Sequence, residues 1–234
     1  MATFVLVHGA WHGGWCYKRV AARLRGEGHE VFCPTLSGIA DRSHLLNPEI
    51  GLSTHVADIA NLIRWEELED VILAGHSYGG MVVTGAADAV PERIKALVYI
   101  DAFVPQNGQA TFDFMLPERK TGYIASVERN GGYMEPVPAA AFDVNPADQA
   151  WVNAQCTLHP IACFLEKLSL SGAVDRITER HYHVAEGWGP SAFPGIADSL
   201  RGKPGWTVKG FDCGHDIMVD MPDELTAALL DVAG

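Results

Sequence analysis

Cations are scarce in this 234-residue chain: 17 Lys and Arg stand against 29 Asp and Glu, a formal net charge of −12. No Lys/Arg cluster overrides that average, so the chain has no electrostatic reason to bind nucleic acid or an anionic membrane surface. Cysteine is sparse as well. The five cysteines (16, 33, 156, 163 and 213) are odd in number and scattered, with no C-x-x-C pair. This argues against a disulfide framework and a zinc site, and for free thiols in a reducing compartment, with the cytoplasm as the expected location. No stretch approaches the roughly 18 uninterrupted apolar residues of a membrane span. The opening MATFVLVHGA has no basic leader and no cleavage site, so the expectation is a mature amino terminus and not a signal peptide. Internal repeats, low-complexity tracts and linkers are absent too.

What is present is globular: 48% hydrophobic and 20% charged residues, enough for one large α/β domain. Short apolar strands alternate with amphipathic helices. TFVLV (Thr3–Val7), Glu30–Cys33, Asp70–Ala74, ALVYI (Ala96–Ile100), His181–Ala185 and Trp206–Lys209 read as strands. Helices are expected over Trp15–Arg25, Ser53–Trp65 (capped by Ser53 or Thr54), Tyr78–Ala89, Ser191–Arg201 and from Pro222 onward. This rhythm predicts a mostly parallel sheet flanked by helices. Between about Pro105 and Val174 it breaks. That region holds helical patterns, several prolines and no convincing strand, so it is expected to form a helical cap over the sheet edge where open α/β folds bind ligands. The expected organisation is a single domain, with a core of about 1–104 and 176–234 and a cap of about 105–175.

Three motifs carry chemistry. Gly75-x-Ser77-x-Gly79 lies between a strand and a helix, the context of a nucleophile elbow, with Ser77 on a strained turn and its Oγ exposed. His8-Gly9 follows the first strand. The N–H of Ala10, paired with that of Tyr78, would form an oxyanion hole. His215, in FDCGHDIM, falls after the last strand and before the last helix, the slot of the general base in this architecture. The other histidines are assigned lesser parts. His8 and His12 belong to the oxyanion loop, and His76 packs in the elbow. His29, His44, His55 and His159 show no partner pattern. His181 and His183 form an i, i+2 pair on one side of a strand, the spacing of half a metal site, but no third ligand is in sequence reach, so no metal is expected.

VLVHGAWHGGWCY, AGHSYGG, VYIDAFVP and GHDIM together resemble the plant methylesterase and hydroxynitrile lyase family of α/β hydrolases, and its bacterial esterase relatives. The resemblance covers nearly the whole chain, least of all the cap. It implies an α/β-hydrolase fold with the cap inserted after the strand ending at Asp101. It also implies Ser77 as nucleophile, His215 as base, an oxyanion hole from Ala10 and Tyr78, and no cofactor. Cyanide-releasing members carry a threonine in the slot of Gly9 and a lysine directly after the catalytic histidine, where this chain has Asp216. Both departures point to ester hydrolysis.

The acid is the open position. The family usually places an aspartate about 28 residues before the histidine, and here that slot falls on Gly187 to Pro190. Asp101 is the first choice and Glu186 the alternative. Trp11, Phe103, Trp151 and Trp188 are candidates to line an apolar pocket. The expected activity is a serine hydrolase that cleaves a small or medium apolar carboxylic ester through an acyl-enzyme on Ser77. The alternatives are a hydroxynitrile lyase and a ligand-binding protein with an inherited triad. The expected partner is a small-molecule ester, with a homodimer left open.

Overall fold

The computed structural model describes residues 1–189 and 191–234. Six parallel strands form the central sheet: β1 (Thr3–Val7), β2 (Glu30–Phe32), β3 (Val71–His76), β4 (Ile94–Ile100), β7 (Arg180–Ala185) and β8 (Trp206–Phe211), in the spatial order β2-β1-β3-β4-β7-β8. The central strands β1 and β3 are almost wholly buried, as continuous apolar runs in a sheet covered on both faces must be. The helices outside the insertion are α1 (Lys18–Gly26), α2 (Leu52–Trp65), α3 (Gly79–Ala89), α7 (Phe193–Leu200), α8 (Ile217–Asp220) and α9 (Pro222–Ala233). Helix α1 buries Val20, Ala21 and Leu24 on one face.

The segment between β4 and β7 carries α4 (Pro117–Arg129), α5 (Pro146–Gln155) and α6 (Ala162–Leu165). It also carries a two-residue antiparallel pair, β5 (Tyr133–Met134) with β6 (His159–Pro160), where no strand is expected from sequence. Arg19 of α1 grips this segment with a bidentate ion pair to Asp148, at 2.6 and 2.7 Å. No described helix is long and apolar enough to cross a membrane.

The cap of α2 corrects the sequence reading. The N-cap is Gly51, and neither Ser53 nor Thr54 caps the helix with its side chain. The Glu166 carboxylate, more than a hundred residues away, accepts the Ser53 N–H at 3.0 Å and satisfies the helix end instead.

Register aligns the strand ends that matter. Val7 pairs with Gly75, His76 with Ile100, and Ile100 with His183. The residues that follow β1, β3, β4, β7 and β8 therefore emerge along one edge of the sheet.

Candidate active site

Ser77 follows β3 with φ of +53°, a left-handed conformation that costs a non-glycine residue of order 1–3 kcal/mol. Backbone bonds hold it there. Its N–H donates to the Ile100 carbonyl at 3.1 Å, and its own carbonyl accepts from Gly80 at 3.0 Å and Phe103 at 3.2 Å. The turn has no room for side chains: a Cβ at Gly79 would lie 2.7 Å from the His8 carbonyl oxygen.

His215 sits on the loop after β8, 2% exposed. Its Nδ1–H donates to Asp101 Oδ2 at 2.6 Å. Asp101, directly after β4, is fully buried, and its Oδ1 accepts the Ala185 N–H at 3.1 Å. Among the described residues Asp101 is the one carboxylate hydrogen-bonded to His215. Glu186 is elsewhere. Its carboxylate lies against Gly210 and faces Arg201 at 3.6 Å, with 54% of the side chain exposed. The loop after Glu186 presents Trp188, whose ring stacks on His215 at 4.3 Å between centroids. Pro190, the end of the expected acid slot, lies outside the described residues.

Ala10, Ser77, Tyr78 and His215 line one pocket. Neither the Ala10 nor the Tyr78 backbone N–H donates to an acceptor among the described residues. Ser77 Oγ makes no side-chain hydrogen bond there, as is common before substrate tightens a site. Apart from Arg119 and Ser191, the remaining walls are aromatic and aliphatic: Trp11, Phe103, Phe114, Phe142, Phe164 and Phe193 are among them. Three of the four aromatics anticipated from sequence line the pocket. Trp151 does not. It packs edge-on against Trp15 at 5.0 Å, beneath the Arg19 guanidinium.

Arg119 of α4 was not anticipated. Its guanidinium lies over the Trp188 ring, 5.2 Å from the centroid, and is a cation in the pocket wall. Asp216 occupies the position where cyanide-releasing relatives carry lysine. It does not line the pocket; it is fully buried and bonds His12 Nε2 at 3.0 Å. His55 and His159, unassigned in sequence, pack around the Tyr78 ring. The His55 Nδ1 accepts the Tyr78 hydroxyl at 3.0 Å. Only tertiary contact brings these three together, so no local pattern announces them.

Two groups among the described residues bring metal-ligating atoms close: His55, His159 and Cys163, and His76, His215 and Asp216. Each group has atoms already engaged, while His76 Nδ1, His159 Nε2 and Asp216 Oδ1 have no hydrogen-bond partner among the described residues. His55 donates to the Ser37 carbonyl, Cys163 to the Ile50 carbonyl, His76 to the His215 carbonyl, and Asp216 accepts from His12. We read both groups as hydrogen-bonded packing. His181 and His183 belong to neither.

Burial dominates the titration of the site. It pushes His215 down to about 3, against the pull of Asp216 and with help from His12 and Arg119. The imidazole is thereby held neutral, the form that can accept a proton. The same desolvation pushes the Asp101 carboxyl up, opposed by the Ala185 N–H. Burial also lowers His8 and His183 to about 3, His55 to about 4, and His76 and His159 well below the ordinary 6.5.

These six buried, neutral histidines predict steep acid unfolding. Their folded values are depressed, so the stability they confer is present above 6.5 and lost as pH falls below it, toward about 4 for His55 and about 3 for His8, His183 and His215. Each group contributes on the order of 1 kcal/mol per pH unit, and the six act in the same direction. A domain's whole stability is about 5–15 kcal/mol. Circular dichroism is expected to report cooperative unfolding as pH falls between 6.5 and about 3, and a fully native spectrum at pH 3 would contradict this expectation.

The comparisons with known proteins follow the same lines. The family described as "Alpha/beta hydrolase family" matches residues 4–229. A carbendazim hydrolyzing esterase from Nocardioides sp. (strain SG-4G) is 46% identical over 98% of both chains. Methylesterase 10 of Arabidopsis thaliana is 31% identical over 98% of this chain and 91% of that protein. An extracellular alpha/beta-hydrolase from a Paenibacillus species, 24% identical, superposes with a TM-score of 0.86 over 99% of both chains, a likeness of fold. With a parallel sheet, an elbow after β3 and a family match over nearly its full length, the chain belongs to the alpha/beta hydrolase family.

Proposed function

We propose that this protein is a serine esterase acting on a small or medium carboxylic ester with apolar groups. The observation that carries the reading is one pocket in which Ser77, a neutral His215 bonded to Asp101, and the free N–H groups of Ala10 and Tyr78 converge. His215 Nε2 takes the Ser77 proton as Oγ attacks the ester carbonyl. The Ala10 and Tyr78 N–H groups receive the oxyanion. Collapse expels the alcohol, which takes the proton from His215, and leaves Ser77 acylated. Water, deprotonated by the same imidazole, then releases the acid and restores the hydroxyl.

The apolar walls and the small free cavity, about 50 Å³, support compact apolar groups. Pockets for drug-sized ligands hold roughly 300–1,000 Å³, so a bulkier ester requires the α4 wall to give way. We assign residues of about 105–175 the part of a cap, because Phe114, Met115, Leu116, Tyr123, Phe142 and Phe164 close the pocket over Ser77. The esterase names of the 46% relative and the plant methylesterase support the same reaction, and carbendazim is one substrate to assay. The site of action in this reading is the cytoplasm, without a nucleic-acid or membrane partner.

A hydroxynitrile lyase fits less well. A Cβ at Gly9 would lie 2.8 Å from His76 Nδ1 and 3.0 Å from Ser77 Cβ, so a threonine there requires His76 to move. Arg119 does offer a cation in the wall, which gives the lyase reading one supporting feature. Assays separate the two. Hydrolysis of methyl or p-nitrophenyl esters is expected, with negligible cyanide release from mandelonitrile. Faster cyanide release than ester cleavage would reverse the ranking. A ligand-binding protein with an idle triad would give no p-nitrophenol burst.

A further inference from the structure

His8 and His12 flank the oxyanion residue Ala10, and their partners differ in kind. His8 Nε2 accepts the Leu36 N–H at 3.0 Å, while its Nδ1 donates to the Gly9 carbonyl at 2.7 Å. One acceptor role and one donor role make a neutral imidazole. Among the described residues His12 has two acceptors and no donor. Its Nδ1 faces the Ala10 carbonyl at 2.8 Å, and its Nε2 faces Asp216 Oδ2 at 3.0 Å. A carbonyl and a carboxylate can only accept, so both ring nitrogens must carry hydrogen.

The surroundings require the resulting charge. His12 is 2% exposed and Asp216 fully buried. Trp15 covers the His12 ring in a stack at 5.2 Å. Among the described residues Asp216 Oδ1 has no hydrogen-bond partner; it lies 3.7 Å from His76 Nε2, whose proton goes to the His215 carbonyl. A buried carboxylate with one hydrogen bond is tolerable only beside a cation. Three further histidines act on or are acted on by the His12 charge: His8, His76 and His215. Around Asp216 stand also Asp101, Asp220, Tyr17, Cys16, Cys156 and Cys213. None of these supplies a second cation.

We propose that His12 is a permanent imidazolium held by Asp216, and that this buried ion pair positions the Ala10 N–H relative to His215. The inference rests on the ester-cleaving reading above. The pair joins the two loops whose spacing the reaction needs. Ala10 is clamped through its carbonyl while its N–H is left free, and Asp216 directly follows His215 in the chain. His12 and Asp216 are thus positioning residues and touch no reacting atom. Their titration agrees. Burial pushes His12 down, but the Asp216 charge and hydrogen bond outweigh it and raise the value. Burial likewise pushes Asp216 up, and His12 reverses that.

The test combines spectroscopy with kinetics. Protein labelled with ¹⁵N-histidine is examined at pH 8, the His12 signals being assigned by their loss in His12→Gln. Two protonated ring nitrogens are expected for His12 in the parent, and not in Asp216→Asn. Asp216→Asn is expected to lower kcat on p-nitrophenyl acetate about 10- to 100-fold with KM within threefold, the scale of a misplaced catalytic group. A bare nitrogen on His12 in the parent overturns the proposal. So does a folded Asp216→Asn with kcat within threefold of the parent. If that variant does not fold, the parent spectrum decides alone. A parent that cleaves no ester overturns the reading of the pocket, and the charge on His12 is judged separately by the spectrum.

Discussion

Ser77→Ala is expected to lower ester turnover by about 10⁶-fold, the scale seen when the nucleophile of a triad is removed. The fold is expected to survive. The substitution deletes one hydroxyl, and that hydroxyl makes no hydrogen bond to another side chain among the described residues. The backbone bonds to Ile100, Gly80 and Phe103 that hold the elbow are all main-chain and persist in the variant. Alanine at φ of +53° carries the same steric cost as serine, so stability should stay close to that of the parent. A fluorophosphonate probe is expected to label the parent at one residue and the variant not at all. Labelling that persists in Ser77→Ala would move the nucleophile to another residue and undo the assignment.

The parts that were legible in the sequence share a physical cause. Strands buried on both faces are continuous apolar runs, so TFVLV and ALVYI declare themselves, and the sharp glycine turn after VILA admits few other structures. Strand β4 still begins earlier than its apolar run suggests. The register shift beside Val71 brings Ile94 into the ladder, and no local pattern encodes that. The cap of α2 is not legible locally, because its partner, Glu166, is distant in the chain. Trp151 was misplaced for a similar reason: an aromatic in the inserted segment can face the pocket or the core, and the Arg19–Asp148 pair docks α5 on α1 with Trp151 against Trp15. In the sequence His12 and Asp216 stand as separate features of two motifs. Their ion pair spans more than two hundred residues and exists only once β1 and β8 deliver their loops to the same edge.

The acid was ambiguous in sequence because two carboxylates follow strands at the same sheet edge. Strand order separates them: β4 lies between β3 and β7, so Asp101 emerges beside Ser77, while Glu186 follows the next strand out. Asp101→Asn is therefore expected to lower kcat by about 10⁴-fold. The carboxylate accepts from both sides, the Ala185 N–H on Oδ1 and the His215 Nδ1–H on Oδ2. An asparagine has one acceptor and one donor to offer. With its oxygen toward Ala185, its amide N–H faces His215 Nδ1 and forces the proton to Nε2, the nitrogen that must be free to receive the Ser77 proton. With its oxygen toward His215, two donors meet at Ala185 in a fully buried site. The first arrangement costs activity and the second costs stability, so kcat must be compared at matched folded fraction, read from near-ultraviolet circular dichroism. Glu186→Gln removes a half-exposed charge whose partner is Arg201 at 3.6 Å, a surface pair worth about 0–1 kcal/mol. Its kcat is expected to stay within about tenfold of the parent. A large loss in Glu186→Gln with Asp101→Asn near the parent would mean that the 2.6 Å bond between Asp101 and His215 is not the one the reaction uses.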